Sequence, residues 1–198
     1  MIFNEEIFFK INFMLYLIGV KHQIQYPLGS GRSDYTDEEI NYFLKYMKTL
    51  ISTISGVSFI AEEMNEDGMK KRIIESTSLR DFVNDPQNSL FNLRHIFMEP
   101  SKEECQALGI PTEKERREKL GIQQGIISTA DQDKLDLEVN KYFGVRENFW
   151  LSKIKSELEN DENGLVIIGS KHMKTFPGLL ESKNIDYKIL CQKWNPDF

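Results

Sequence analysis

Two short apolar runs near opposite ends of the chain, Met14-Leu-Tyr-Leu-Ile-Gly-Val-Lys-His22 and Gly164-Leu-Val-Ile-Ile-Gly-Ser-Lys-His172, share one design. Each leads through apolar residues to a glycine, a variable residue, a lysine and a histidine. A continuous apolar run of this length bounded by glycine reads as a strand buried on both faces. The spacing predicts that Gly19 and Gly169 let the backbone turn sharply, so that His22 and His172 project from strand carboxyl ends. Open α/β sheets keep their sites at those ends. The chain has only three histidines, and two of them occupy this setting. The alternative is two unrelated strand ends, each with a surface histidine.

The stretches between the two runs predict the rest of an α/β domain. Thr36 or Asp34 caps a helix whose core face is Ile40, Phe43, Leu44, Met47, Leu50, Ile51 and Ile54, and Gly56 ends it. Val57–Ala61 reads as a second strand closing on Glu62 and Glu63, and Leu93–Met98 as a third closing on Glu99. Between them, residues 69–84 are periodic enough for a helix, followed by a turn at Asp85-Pro-Gln-Asn88. Ser101-Lys-Glu-Glu104 is a capping box, and Gly109-Ile-Pro111 breaks the charged helical stretch that runs to Gly121. Gln123–Asp136 reads as a polar loop and Val139–Leu158 as one amphipathic helix with Phe149, Trp150, Ile154 and Leu158 inward. A helix from Phe176 and a strand at Tyr187–Cys191 follow the second histidine run.

With 198 residues, this order suits one α/β domain. The expected sheet is central and mixed or mostly parallel, has helices on both faces, and repeats the strand-Gly-x-x-His unit about a pseudo-two-fold axis. The expected domain spans 14–198, with 1–13 an appended extension or the product of an upstream start. The net charge of −6 argues against a nucleic-acid surface, which needs clustered positive charge. Cys105 and Cys191 form no disulfide framework or zinc motif, so a reducing cytoplasm is the expected compartment. Ile7–Val20 lacks a basic leader and a cleavage site, and it is too interrupted to span a bilayer. No membrane partner is expected, and oligomeric state is left open.

Two further features carry chemistry. Glu62 and Glu63 close an apolar strand, where a carboxylate is rarely tolerated unless paired, and their side chains point to opposite faces. Sequence does not choose which one reaches the sheet edge. Arg146 lies near a helix start, where the macrodipole does not favour a cation, so it is placed either to grip an anion or simply to be solvated. His95 lies within a strand without a preceding glycine, and a packed or hydrogen-bonded histidine is the expectation there.

The two motifs Gly19-Val-Lys-His22 and Gly169-Ser-Lys-His172, together with a strand-end glutamate and Arg146, resemble the superfamily that includes TraB, the Tiki proteases, ChaN-like haem-binding proteins and the erythromycin esterases. The resemblance covers Leu15–Glu63 and Arg146–Leu190. It implies one pocket at the sheet's carboxyl edge, with His22, His172, Glu62 or Glu63, and Arg146 as catalytic groups. Within it, His22, His172 and Glu62 are the implied ligands of a divalent metal, Mn, Co or Zn. Lys21, Lys171 and Gln25 would contact a small-molecule substrate. The expected function is metal-dependent hydrolysis of a small anionic, ester or amide substrate, by water activated on the metal or by His and Glu alone. The alternative is a non-catalytic protein that binds haem or a small anion.

Overall fold

A computed structural model describes residues 13–21, 24, 36–65, 93–123, 128–159 and 162–195. The strands are β1 (Leu15–Val20), β2 (Val57–Glu62), β3 (Arg94–Phe97), β4 (Asn163–Gly169) and β5 (Tyr187–Cys191). The helices are α1 (Asp37–Thr53), α2 (Lys102–Ala107), α3 (Glu113–Leu120), α4 (Thr129–Asn140), α5 (Phe143–Glu159) and α6 (Phe176–Ser182), with a 3-10 turn at His172–Lys174 before α6. The proposed helix at 69–84, the turn after it and residues 1–12 lie outside the described residues.

All five strands run parallel in the order β3-β2-β4-β1-β5. The two histidine strands are neighbours, with Val20 opposite Gly169. That register sets Gly19 opposite Ile168 rather than opposite Gly169, so the two motifs are offset by one residue.

Connection direction decides where the helices go. The link from β1 to β2 passes over β4 in one direction, and the link from β4 to β5 passes over β1 in the other. Crossovers between parallel strands are right-handed, so opposite directions put their helices on opposite faces. The core divides accordingly. Ile40, Phe43, Leu44, Met47 and Ile51 of α1 pack on Ile18, Val20, Ile60, Leu165 and Ile167. Trp150, Ile154 and Leu158 of α5 and Leu180 of α6 pack on Leu15, Leu17, Phe59, Val166 and Ile168. Because β1 and β4 send their chains to opposite faces, the carboxyl ends of these central strands are the topological switch point, where open α/β sheets place their ligands.

Helix starts follow the sequence signals. Thr36, Ser101 and Thr112 each close a capping box with the glutamate three residues on. Two expectations change. Gln123–Asp136 is not a loop throughout, since α4 begins at Thr129 behind a Ser128 cap. The single helix expected over Val139–Leu158 is two helices, with α4 ending at Asn140 and α5 starting at Phe143.

Gly19 and Gly169 are also not turn residues. Both lie within strands, and neither is among the positive-φ glycines of the described residues, which are Gly56, Gly109 and Gly121. Gly19 is required by close approach instead, because a Cβ there would lie 2.1 Å from the Gln192 carbonyl oxygen. Backbone cannot move aside as a flexible side chain does. Gly19→Ala should therefore lower stability by about 1–3 kcal/mol, read as a reduced urea midpoint with an unchanged slope. An unchanged midpoint would show that the 192–194 segment yields.

Candidate active site

One face of the first two turns of α5 builds most of the site. Phe143, Arg146, Glu147 and Trp150 fall at i, i+3, i+4 and i+7, so they form a single stripe turned towards the carboxyl ends of β2 and β4. His172 meets this stripe from the 3-10 turn after β4 and is 1% exposed. Its ring lies 3.7 Å from the Phe143 ring centroid and 4.5 Å from that of Trp150.

The two ring nitrogens of His172 have different surroundings. Nδ1–H donates to Glu147 Oε1 at 2.7 Å, and the same carboxylate oxygen accepts from Thr175 Oγ1. Nε2 lies 3.3 Å from Arg146 Nη1 and 3.4 Å from Glu63 Oε1. A neutral imidazole accepts from the arginine through Nε2, whereas an imidazolium donates to the glutamate. The nitrogen therefore has a partner in either protonation state. Burial alone would lower the His172 pKa, but hydrogen bonds to Glu147 and Glu63 outweigh it and hold the pKa above its ordinary 6.5.

Arg146 ties the strand ends together. Its Nη2 donates to Glu63 Oε1 at 2.5 Å and to Glu99 Oε2 at 2.8 Å, and its Nε also donates to Glu99 Oε2. Trp150 Nε1 donates to that same oxygen at 3.2 Å. Glu63 Oε2 accepts from the Gly169 backbone N–H at 2.6 Å, which is what the second motif glycine contributes. Burial pushes the Glu99 carboxyl above its usual range despite the neighbouring guanidinium. Three carboxyls surround one arginine and one histidine, and within this cluster His172 and Glu99 retain protons that exposed groups would lose.

Of the two strand-end glutamates, Glu63 belongs to this site and Glu62 has another partner. Glu62 Oε2 lies 2.5 Å from His95 Nε2, and both side chains are buried. His95 is thus hydrogen-bonded, in line with its expectation. Lys171 is exposed and paired with Asp136, and Lys21 is exposed at the end of β1. His22 and Gln25 lie outside the described residues. Glu147 was not singled out from sequence, and Glu99 was noted only as a strand-end carboxylate. The i, i+3, i+4, i+7 stripe is the signal that could have found Glu147.

The described residues do not fit the divalent metal that the resemblance implies. No group of three His, Cys, Asp or Glu side chains placed to hold a metal ion is found among them, and of the proposed set of His22, His172 and Glu62, His22 lies outside the described residues while Glu62 Oε2 is held by His95. A cation on His172 Nε2 would also face the Arg146 guanidinium. A haem iron held by His172 would need the same nitrogen, since Glu147 takes Nδ1. Compared with known protein families, characterised proteins and solved structures, the chain matches none of them.

Two stability measurements test the network. Arg146→Met leaves the buried Glu63 and the partly buried Glu99 without their cation, and the expected cost is about 3–5 kcal/mol in denaturant unfolding. His172 and Glu99 both hold protons more tightly folded than unfolded, so stability falls as pH rises. The His172 contribution is complete below its unfolded value near 6.5 and is lost as pH rises through the raised folded value. Wild-type stability should decline across that window, and His172→Gln should flatten the decline. An equal slope in both proteins would assign the decline to other groups.

Proposed function

We propose that the chain is a hydrolase acting on a small anionic, ester or amide substrate, with His172 as the general acid–base group. The observation that supports this most is the placement of His172. A carboxylate fixes its Nδ1 while its Nε2 is turned to an arginine and a second carboxylate, beside the sheet's switch point. Glu147 sets the tautomer, so the lone pair lies on Nε2. In the reaction, Nε2 takes a proton from water as the water oxygen attacks the carbonyl or phosphoryl centre. The imidazolium then pairs with Glu63, and Arg146 Nη1, no longer donating to Nε2, is released to face the developing oxyanion. The proton returns from Nε2 to the leaving group. This sequence runs through His172 rather than a metal, because Nε2 faces a guanidinium in the described structure.

A screen of esters, amides and phosphoesters tests the proposal, run with wild type and with His172→Ala. Turnover should fall by about 10²–10⁴-fold in the variant and should persist in a chelator. Glu147→Gln should lower kcat and move the acidic limb of the pH profile downward, because that carboxylate, together with Glu63, raises the His172 pKa. Activity that disappears on chelation and returns with Mn, Co or Zn would favour the metal-dependent reading, with His22 supplying a ligand. Equal background rates in wild type and His172→Ala would sink the hydrolase reading and leave haem or small-anion binding.

A further inference from the structure

Two adjoining cavities, of about 510 and 290 Å3, lie against α2, α3 and the α4–α5 junction and share Lys102, Ile110, Pro111, Thr112 and Tyr142 in their walls. The smaller one also reaches Glu99, Cys105, Arg116 and Arg146, so it ends at the far side of the Arg146 network from His172. Arg116 on its wall is the unexplained group. Arg94, Arg117 and Arg146 each hold a carboxylate, whereas Arg116 pairs with none among the described residues. Its Nη1 donates to the Pro111 carbonyl, and its Nε is buried without a partner. The Nε is sealed off from the cavity, but Nη2 makes no hydrogen bond among the described residues and is not one of the sealed atoms, so an oxyanion in the cavity that the side chain lines would give it an acceptor.

The other walls suit the same ligand. Lys102 adds a second positive charge in a chain whose net charge is −6. Glu99 lines the smaller cavity, and all the hydrogen bonds from Arg146 and Trp150 to it go to Oε2, so Oε1 takes no part in them. In its protonated form that carboxyl is a donor to an oxyanion rather than a repelling charge. The smaller cavity, at about 290 Å3, sits at the lower end of the roughly 300–1,000 Å3 typical of small-molecule sites, so the ligand it holds is small.

We propose that this cavity is an oxyanion subsite in which Arg116 and Lys102 hold the phosphate or carboxylate group of a small ligand beside Glu99. That the ligand is also the substrate rests on the acid–base reading of His172. Binding alone is the readout, so a failed substrate screen leaves the test intact. Calorimetric titrations of the full chain with inorganic phosphate, and separately with succinate, should show saturable binding of at least one. Arg116→Gln should weaken it by about tenfold or more, and Arg116→Lys, which keeps the charge but loses the planar fork, by less. Lys114→Gln, on the exposed side of α3, should bind as wild type does. Binding of phosphate alone assigns a phosphate group, and binding of succinate alone a carboxylate. Saturable binding of neither probe, or equal affinity in wild type and both Arg116 variants, overturns the proposal.

Discussion

The Arg146 guanidinium is the interaction on which the arrangement at the sheet's carboxyl edge depends. Glu63 follows β2, Glu99 follows β3, and Arg146 comes from α5, so one side chain joins two strand ends to the helix that covers them. Each carboxyl would be costly in this position alone. Ion pairs buried in this way contribute less to net stability than their short distances suggest, because both partners lose water. Their larger effect here is geometric. With Arg146 fixed, Glu147 on the same turn is aimed at His172, and Trp150 one turn later closes against both the histidine and Glu99.

The alternation of the β-strand then separates two functions that the sequence places side by side. Glu62 and Glu63 are adjacent, yet Glu62 meets His95 and Glu63 meets Arg146 and His172. Opposite faces of one strand give each carboxylate its own histidine. The topology adds the switch point. With β4 between β1 and β2, the chain leaves the two central strands towards opposite faces, and His172 stands at the start of one of those exits.

Much of this was legible in the sequence, for reasons that differ from element to element. The strands were visible because a parallel sheet covered on both faces needs unbroken apolar runs, and helix starts were visible because capping boxes are local chemistry. Helix α4 was missed because it buries only Leu135 and Glu138 and so carries almost no apolar periodicity. The single glutamate chosen by the fold could not be read, because strand parity at a chain exit depends on register with β4. Glu147 looked like an ordinary helix-surface carboxylate, since Thr175 and His172 reach it only through the fold. The role of the motif glycines was misread for a related reason. Gly19 is needed by the distant Gln192 backbone, a contact with no local trace.

The central claim is that His172 is a tuned proton carrier, fixed by Glu147 and facing Arg146 and Glu63. The most direct measurement is a pH titration of the imidazole nitrogens by NMR in 15N-labelled protein, with the His172 signals assigned by their loss in His172→Gln. The account predicts a neutral form protonated on Nδ1, and an apparent pKa above 6.5 that falls in Glu147→Gln. A neutral form protonated on Nε2, or a pKa at or below 6.5 that is unmoved by the Glu147 change, would contradict it.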